Sequence, residues 1–147
     1  MSIHDATLTS LFPNLTQAGA FITSMSSPRY NCIAWAAEDQ EFWWEPASPY
    51  YWPSRAKREN SLNGWISAFQ TLHYQPCATG SLDPAYSKIA IYVKEGTPTH
   101  VARQLSNGKW TSKCGKLQDI EHDLADLAGV EYGQPFIFMQ KLRQVTP

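Results

Sequence analysis

Residues 99–113 read THVARQLSNGKWTSK. Asn107-Gly108 is a strong two-strand turn signal, so the spacing predicts a strand over 99–105, a hairpin, and a second strand over 109–113. Upstream, KIAIYV at 88–93 alternates large apolar residues and predicts another strand. Downstream, PFIFMQKLR at 135–143 predicts a last one. Between them, LQDIEHDLADLAG at 117–129 sets Ile120, Leu124 and Leu127 on one helical face, with Gly129 as a stop. Helices are expected ahead of the sheet: a short one over 5–12, one over 30–38, and one over 61–73. The last carries Leu62, Trp65, Ile66, Phe69 and Leu72 at i, i+3, i+4 spacing. The expected fold is α+β, with N-terminal helices packed on a small antiparallel sheet, in one domain spanning 1–147.

At 147 residues the chain is long enough to bury a core without staples. Apolar residues make up 43% and charged residues 17%, which points to a globular rather than a disordered chain. A net charge of −1 gives no footprint for nucleic acid or an anionic membrane. Three cysteines, Cys32, Cys77 and Cys114, cannot all pair within one chain, and no CxxC spacing occurs. A disulfide framework and a Cys-rich zinc site are therefore not expected, and no metal or cofactor is implied. The N-terminal MSIHDATLTSLFPNL lacks a basic region followed by an apolar run, and no stretch approaches a membrane span. The expectation is a cytoplasmic protein, with export by a route that needs no such signal left open. The oligomeric state is left open too.

Residues 30–37, YNCIAWAA, place Cys32 where a helix begins, just after the turn-forming Ser26-Ser27-Pro28-Arg29. A cysteine there either fills core space or is made nucleophilic by the helix N-terminus. A thiol nucleophile needs a base and a group that orients the base. His100, near the start of a strand that should pack on the Cys32 helix, is the best candidate base. His4 sits near the terminus, His73 at a helix end, and His122 off the apolar stripe of its expected helix. Cys77 and Cys114 lie in turn segments and read as structural. Arg103, Lys109 and Lys113 read as solvated strand ends. Residues 39–58 hold FWWEPASPYYWPSR, a long loop broken by prolines. Its rings, Trp43, Trp44, Tyr50, Tyr51 and Trp52, either cover the core or form one wall of a substrate groove.

A helix-borne Cys, a hairpin carrying His, and a polar residue on the next strand resemble the papain-like cysteine hydrolases of the NlpC and CHAP type. The likeness rests on YNCIAWA and on His100-Val101, Asn107-Gly108, Trp110 and Ser112, taken in that order. It covers about residues 28–38 and 88–115. The resemblance implies a papain-like fold, Cys32 as nucleophile, His100 as general base, and Tyr30 and Asn31 near the oxyanion site. The third family position falls at Ser112, where His, Asn, Gln or Glu is usual; Gln104 and Asp119 are the alternatives. The implied activity is a thiol hydrolase or acyltransferase acting on an amide or peptide bond. Bacterial wall peptide is the first substrate it suggests, and an effector, toxin, phage protein or intracellular amidase stay open. The alternative is a catalytically silent domain that binds a partner through its aromatic loop. The set YNCIAWA…PTHVARQL…WTSKCG…DIEH is also similar to a family of small bacterial proteins, which implies no activity by itself.

Overall fold

The computed structural model describes residues 6–17 and 20–143. In chain order the elements are α1 (Ala6–Leu11), a 3-10 turn (Pro13–Gln17), β1 (Phe21–Ser24), α2 (Cys32–Ala36), α3 (Leu62–Gln70), β2 (Gln75–Cys77), β3 (Tyr86–Lys94), β4 (Thr97–Gln104), β5 (Trp110–Lys113), β6 (Asp119–His122), a second 3-10 turn (Leu124–Leu127) and β7 (Gln134–Leu142). The Asn107-Gly108 turn joins β4 to β5. Gly108 takes a φ of +87°, which glycine adopts without strain. Asn107 Oδ1 accepts from the Lys109 N–H at 2.9 Å.

The fold differs from helices packed on a small sheet, and the papain-like expectation is corrected here. Seven strands form one antiparallel sheet in the order β1-β6-β5-β4-β3-β7-β2. The α-helices among the described residues have six, five and nine residues. The expected helix over 117–129 is instead β6 and a 3-10 turn. Its i, i+4 spacing of Ile120 and Leu124 hid a shorter period of two. In Asp119-Ile120-Glu121-His122, Ile120 and His122 turn to one face of the sheet, and both are fully buried. This strand pairs with β5 on one side and β1 on the other. β1 and β2 are three or four residues long, too short to show a period.

The sheet is covered on both faces. On one face α2, α3 and the aromatic loop bury Ile33, Trp44, Trp52, Trp65 and Phe69 against Ile89, Ile91, Val101 and Met139. On the other, the N-terminal Leu8, Phe12 and Leu15 pack with Ala90, Tyr92, Ala102, Trp110 and Ile120. Gly64 in α3 is set by close approach: a Cβ there would meet the Glu59 carbonyl oxygen at 2.0 Å.

The loop divides its rings between core and surface. Trp44 and Trp52 are only 4% and 3% exposed. Their indole N–H groups donate inside the loop, to Asp39 at 2.8 Å and to the Lys57 carbonyl at 3.0 Å. These two are core residues, not walls of a groove. Proline stiffening and a Trp44–Tyr51 bridge close the loop tightly enough to bury them. Trp43 is half-buried, while Tyr50 and Tyr51 are exposed.

Candidate active site

Cys32 is the first residue of α2, and Asn31 caps it. Asn31 Oδ1 accepts from the N–H groups of Ala34 and Trp44, at 3.1 and 3.2 Å. Its Nδ2 donates to the Trp44 carbonyl at 2.7 Å. One buried side chain thus starts the helix and ties the aromatic loop to it. Tyr30 is anchored as well: its hydroxyl donates to Asp119 Oδ2 at 2.7 Å, an oxygen that also accepts from Ser24. The Tyr30 hydroxyl is thus committed to Asp119, whereas Asn31, which lines the Cys32 pocket, keeps one Nδ2 hydrogen beyond the one it gives to Trp44.

The thiol is buried, and it lines a pocket of about 330 Å³ with Glu45, Asn60, Trp65, Pro98 and Thr99. Burial pushes its pKa up to about 11. The N–H groups of Val101, Ile33 and Cys32 itself, and the charge of Lys113, pull the other way. Desolvation outweighs the helix start, so the resting group is a thiol. The other two cysteines are free: Cys114 is buried, with burial raising its pKa, and Cys77 is half-buried.

His100 is fully buried. Its ring stacks on Tyr132, with centroids 4.1 Å apart and planes 9° apart, and meets Tyr92 edge-on. His100 Nε2 lies 2.9 Å from Ser112 Oγ, and the same oxygen lies 2.7 Å from His122 Nε2. His122 Nδ1 lies 2.7 Å from the Asp123 carbonyl oxygen. That carbonyl can only accept, so His122 carries its proton on Nδ1. Burial lowers the His122 pKa to about 4, so the ring is neutral and its Nε2 is an acceptor. Ser112 must then donate to His122 and accept from His100. His100, which burial holds well below the ordinary histidine range, therefore carries its proton on Nε2. Its Nδ1 is left as a bare lone pair, buried and without a partner.

Of the three candidate orienters only Ser112 reaches His100. Gln104 Nε2 donates to the Gly80 carbonyl at 2.8 Å. Asp119 lies on β6 and is held by Tyr30 and Ser24. No hydrogen bond joins Cys32 and His100. Strand alternation turns the imidazole to the face of Tyr92 and Ala102, whereas Val101 faces the cluster that includes Cys32. The thiol and the imidazole therefore lie on opposite faces of β4, and it is the neighbouring Val101 that shares a core cluster with Cys32. Strands β4 and β5 pair only at Arg103–Thr111 and Gln104–Trp110, and α2 packs over both.

Sequence reasoning set His122 aside, yet it completes the chain of hydrogen bonds. Its signal was the alternation in Asp119–His122, which puts it beside Ile120. Lys113 is likewise no solvated strand end. It is fully buried, donating to the Ser27 and Gly115 carbonyls under the Tyr30 ring. His73 is exposed, and His4 lies outside the described residues. Among the described residues no group of three or more His, Cys, Asp or Glu side chains is placed to hold a metal, and no helix is long and apolar enough to cross a membrane.

The site thus consists of a helix-start thiol on one face of a seven-stranded antiparallel sheet and a buried His100–Ser112–His122 relay on the other. A family model described as a domain of unknown function (DUF7689) matches residues 21–140, and the chain belongs to that family. The match takes in Cys32, His100, Ser112 and His122 and leaves out α1. No curated protein and no solved structure matches the chain.

Proposed function

We propose that the domain is a thiol hydrolase or acyltransferase acting on an amide or peptide bond, with Cys32 as nucleophile and His100 as base. One observation carries the reading. The His100–Ser112–His122 chain fixes the proton on His100 Nε2 and leaves Nδ1 as an unsatisfied buried acceptor, on the strand whose next residue, Val101, packs in the same cluster as Cys32. An orphaned buried nitrogen costs about 1–3 kcal/mol, so its retention fits a task. In the resting arrangement thiol and imidazole are both neutral and unjoined. The two side chains rest on opposite faces of β4, so the step requires a rearrangement of that strand, driven by substrate in the pocket, that brings Sγ onto Nδ1. The thiol proton then passes to Nδ1 as the S–C bond forms, and the Val101, Ile33 and Cys32 N–H groups, which favour a thiolate, are the donors offered to the oxyanion. His100 returns the proton to the amine as the C–N bond breaks. Water, giving a proton to the same nitrogen, cleaves the thioester to a carboxylic acid and a free thiol. In acyl transfer an amine or hydroxyl takes the place of water. The resemblance to NlpC and CHAP enzymes supports this site order, not their fold.

A second reading, a silent binding module, is favoured by the thiol pKa of about 11 and the missing thiol–imidazole bond. Its recognition surface would be the pocket and the exposed Phe42, Tyr50 and Tyr51.

Acylation of Cys32 by a short peptide thioester that occupies the pocket, near neutral pH and followed by mass spectrometry, separates the two. The enzyme reading predicts a rate that falls by at least about tenfold in His100→Gln and by less in Ser112→Ala, with unfolding temperatures recorded alongside. A rate indifferent to His100 in a folded variant supports the binding module.

A further inference from the structure

A second groove, of about 790 Å³, shares no lining residue with the Cys32 pocket. Its floor is a row across three strands, because Arg103 pairs with Thr111 and Thr111 with Glu121. The Trp35 indole N–H donates to Thr111 Oγ1 at 2.9 Å, and the Arg103 guanidinium lies over the Trp35 ring at 5.6 Å. Arg103 Nε is buried and has no hydrogen-bond partner. Among the described residues neither Arg103 nor Glu121 forms an ion pair, with each other or with any other group. At a strand spacing of about 4.8 Å their backbones stand about 10 Å apart. Thr111, having accepted from Trp35, keeps its own hydroxyl proton to donate. Arg29 and Glu41 repeat the two charges at the rim.

We infer that this groove binds a small zwitterion, an α-amino acid or the free ends of a short peptide, with its carboxylate on Arg103 and Thr111 and its ammonium on Glu121. A buried guanidinium nitrogen without a partner is costly, and a carboxylate satisfies it through paired N–H donors. Two carboxylates in the same groove repel a phosphate dianion. Two guanidiniums repel a simple cation. Opposite charges held apart, with a hydroxyl donor between, suit a ligand that carries both. The inference rests on the groove alone and stands whether or not Cys32 is a nucleophile.

Isothermal titration of the intact chain with glycylglycine tests it. Saturable binding is expected, weaker by at least about tenfold for N-acetyl-glycylglycine and for glycylglycine amide, each of which lacks one charge. Arg103→Gln should lose a similar factor at an unchanged unfolding temperature. Should that variant not fold, the surface-reaching Glu121→Gln gives the same readout from the other end. The inference is overturned by any of three results: glycylglycine fails to saturate, inorganic phosphate binds as tightly, or a folded Arg103→Gln or Glu121→Gln binds it unchanged.

Discussion

Trp52→Ala will lower the free energy of unfolding by about 3–5 kcal/mol, and Trp44→Ala by a similar amount. Both rings are almost wholly buried, meet edge to face with centroids 6.5 Å apart, and pack beside Trp65 and Phe69 against the sheet. Removing either leaves a cavity next to α2 and an orphaned partner, Asp39 for Trp44 and the Lys57 carbonyl for Trp52. Tyr50→Ala, at an exposed ring, should shift stability by no more than about 0.5 kcal/mol. Urea unfolding of the three variants checks this. Equal losses at Trp52 and Tyr50 would mean that the loop does not seat its tryptophans in the core.

The second large effect is on acid stability. Burial lowers the His122 pKa to about 4 and holds His100 well below its usual range. Between pH about 6.5 and about 4 the unfolded chain binds protons that the folded chain refuses, so stability falls as pH falls. The contribution is fully present above the unfolded value and is lost as pH drops through the folded one. For His122 alone the loss is about 3 kcal/mol. Asp126, which burial pushes up, works in the opposite direction. Urea midpoints at pH 7.5 and 4.5 should differ strongly in the native chain and less in His122→Gln. A flat profile over this range would contradict neutral buried imidazoles.

Much of the sheet was legible because its signals are local. Asn107-Gly108 names a turn, and Lys88–Val93 alternates over enough residues to declare a strand. The family resemblance puts Ser112 beside His100; counting along the hairpin sets it opposite Ala102, and the side chains meet diagonally. Asp119–His122 could not be read correctly: four residues followed by apolar spacing at Leu124 and Leu127 mimic a helix, and only pairing with β5 reveals the strand. The error on His122 followed from that one. Cys32 was placed rightly at a helix start, but the sequence does not report how deeply the thiol is buried. In a five-residue helix, desolvation decides its pKa. Lys113 was misplaced for the same reason, and Trp52 is open between core and groove on sequence alone, since burial depends on neighbours distant in the chain.

The central claim is that Cys32 takes an acyl group with help from His100. Mixing the protein with p-nitrophenyl acetate and reading both the released p-nitrophenol and the mass of each cysteine peptide tests it most directly. The account predicts an initial burst near one equivalent per chain, an acetyl group on Cys32 rather than on Cys77, and a much slower burst in His100→Gln. No acetyl group on Cys32, or acetylation at the same rate in folded His100→Gln, would contradict it.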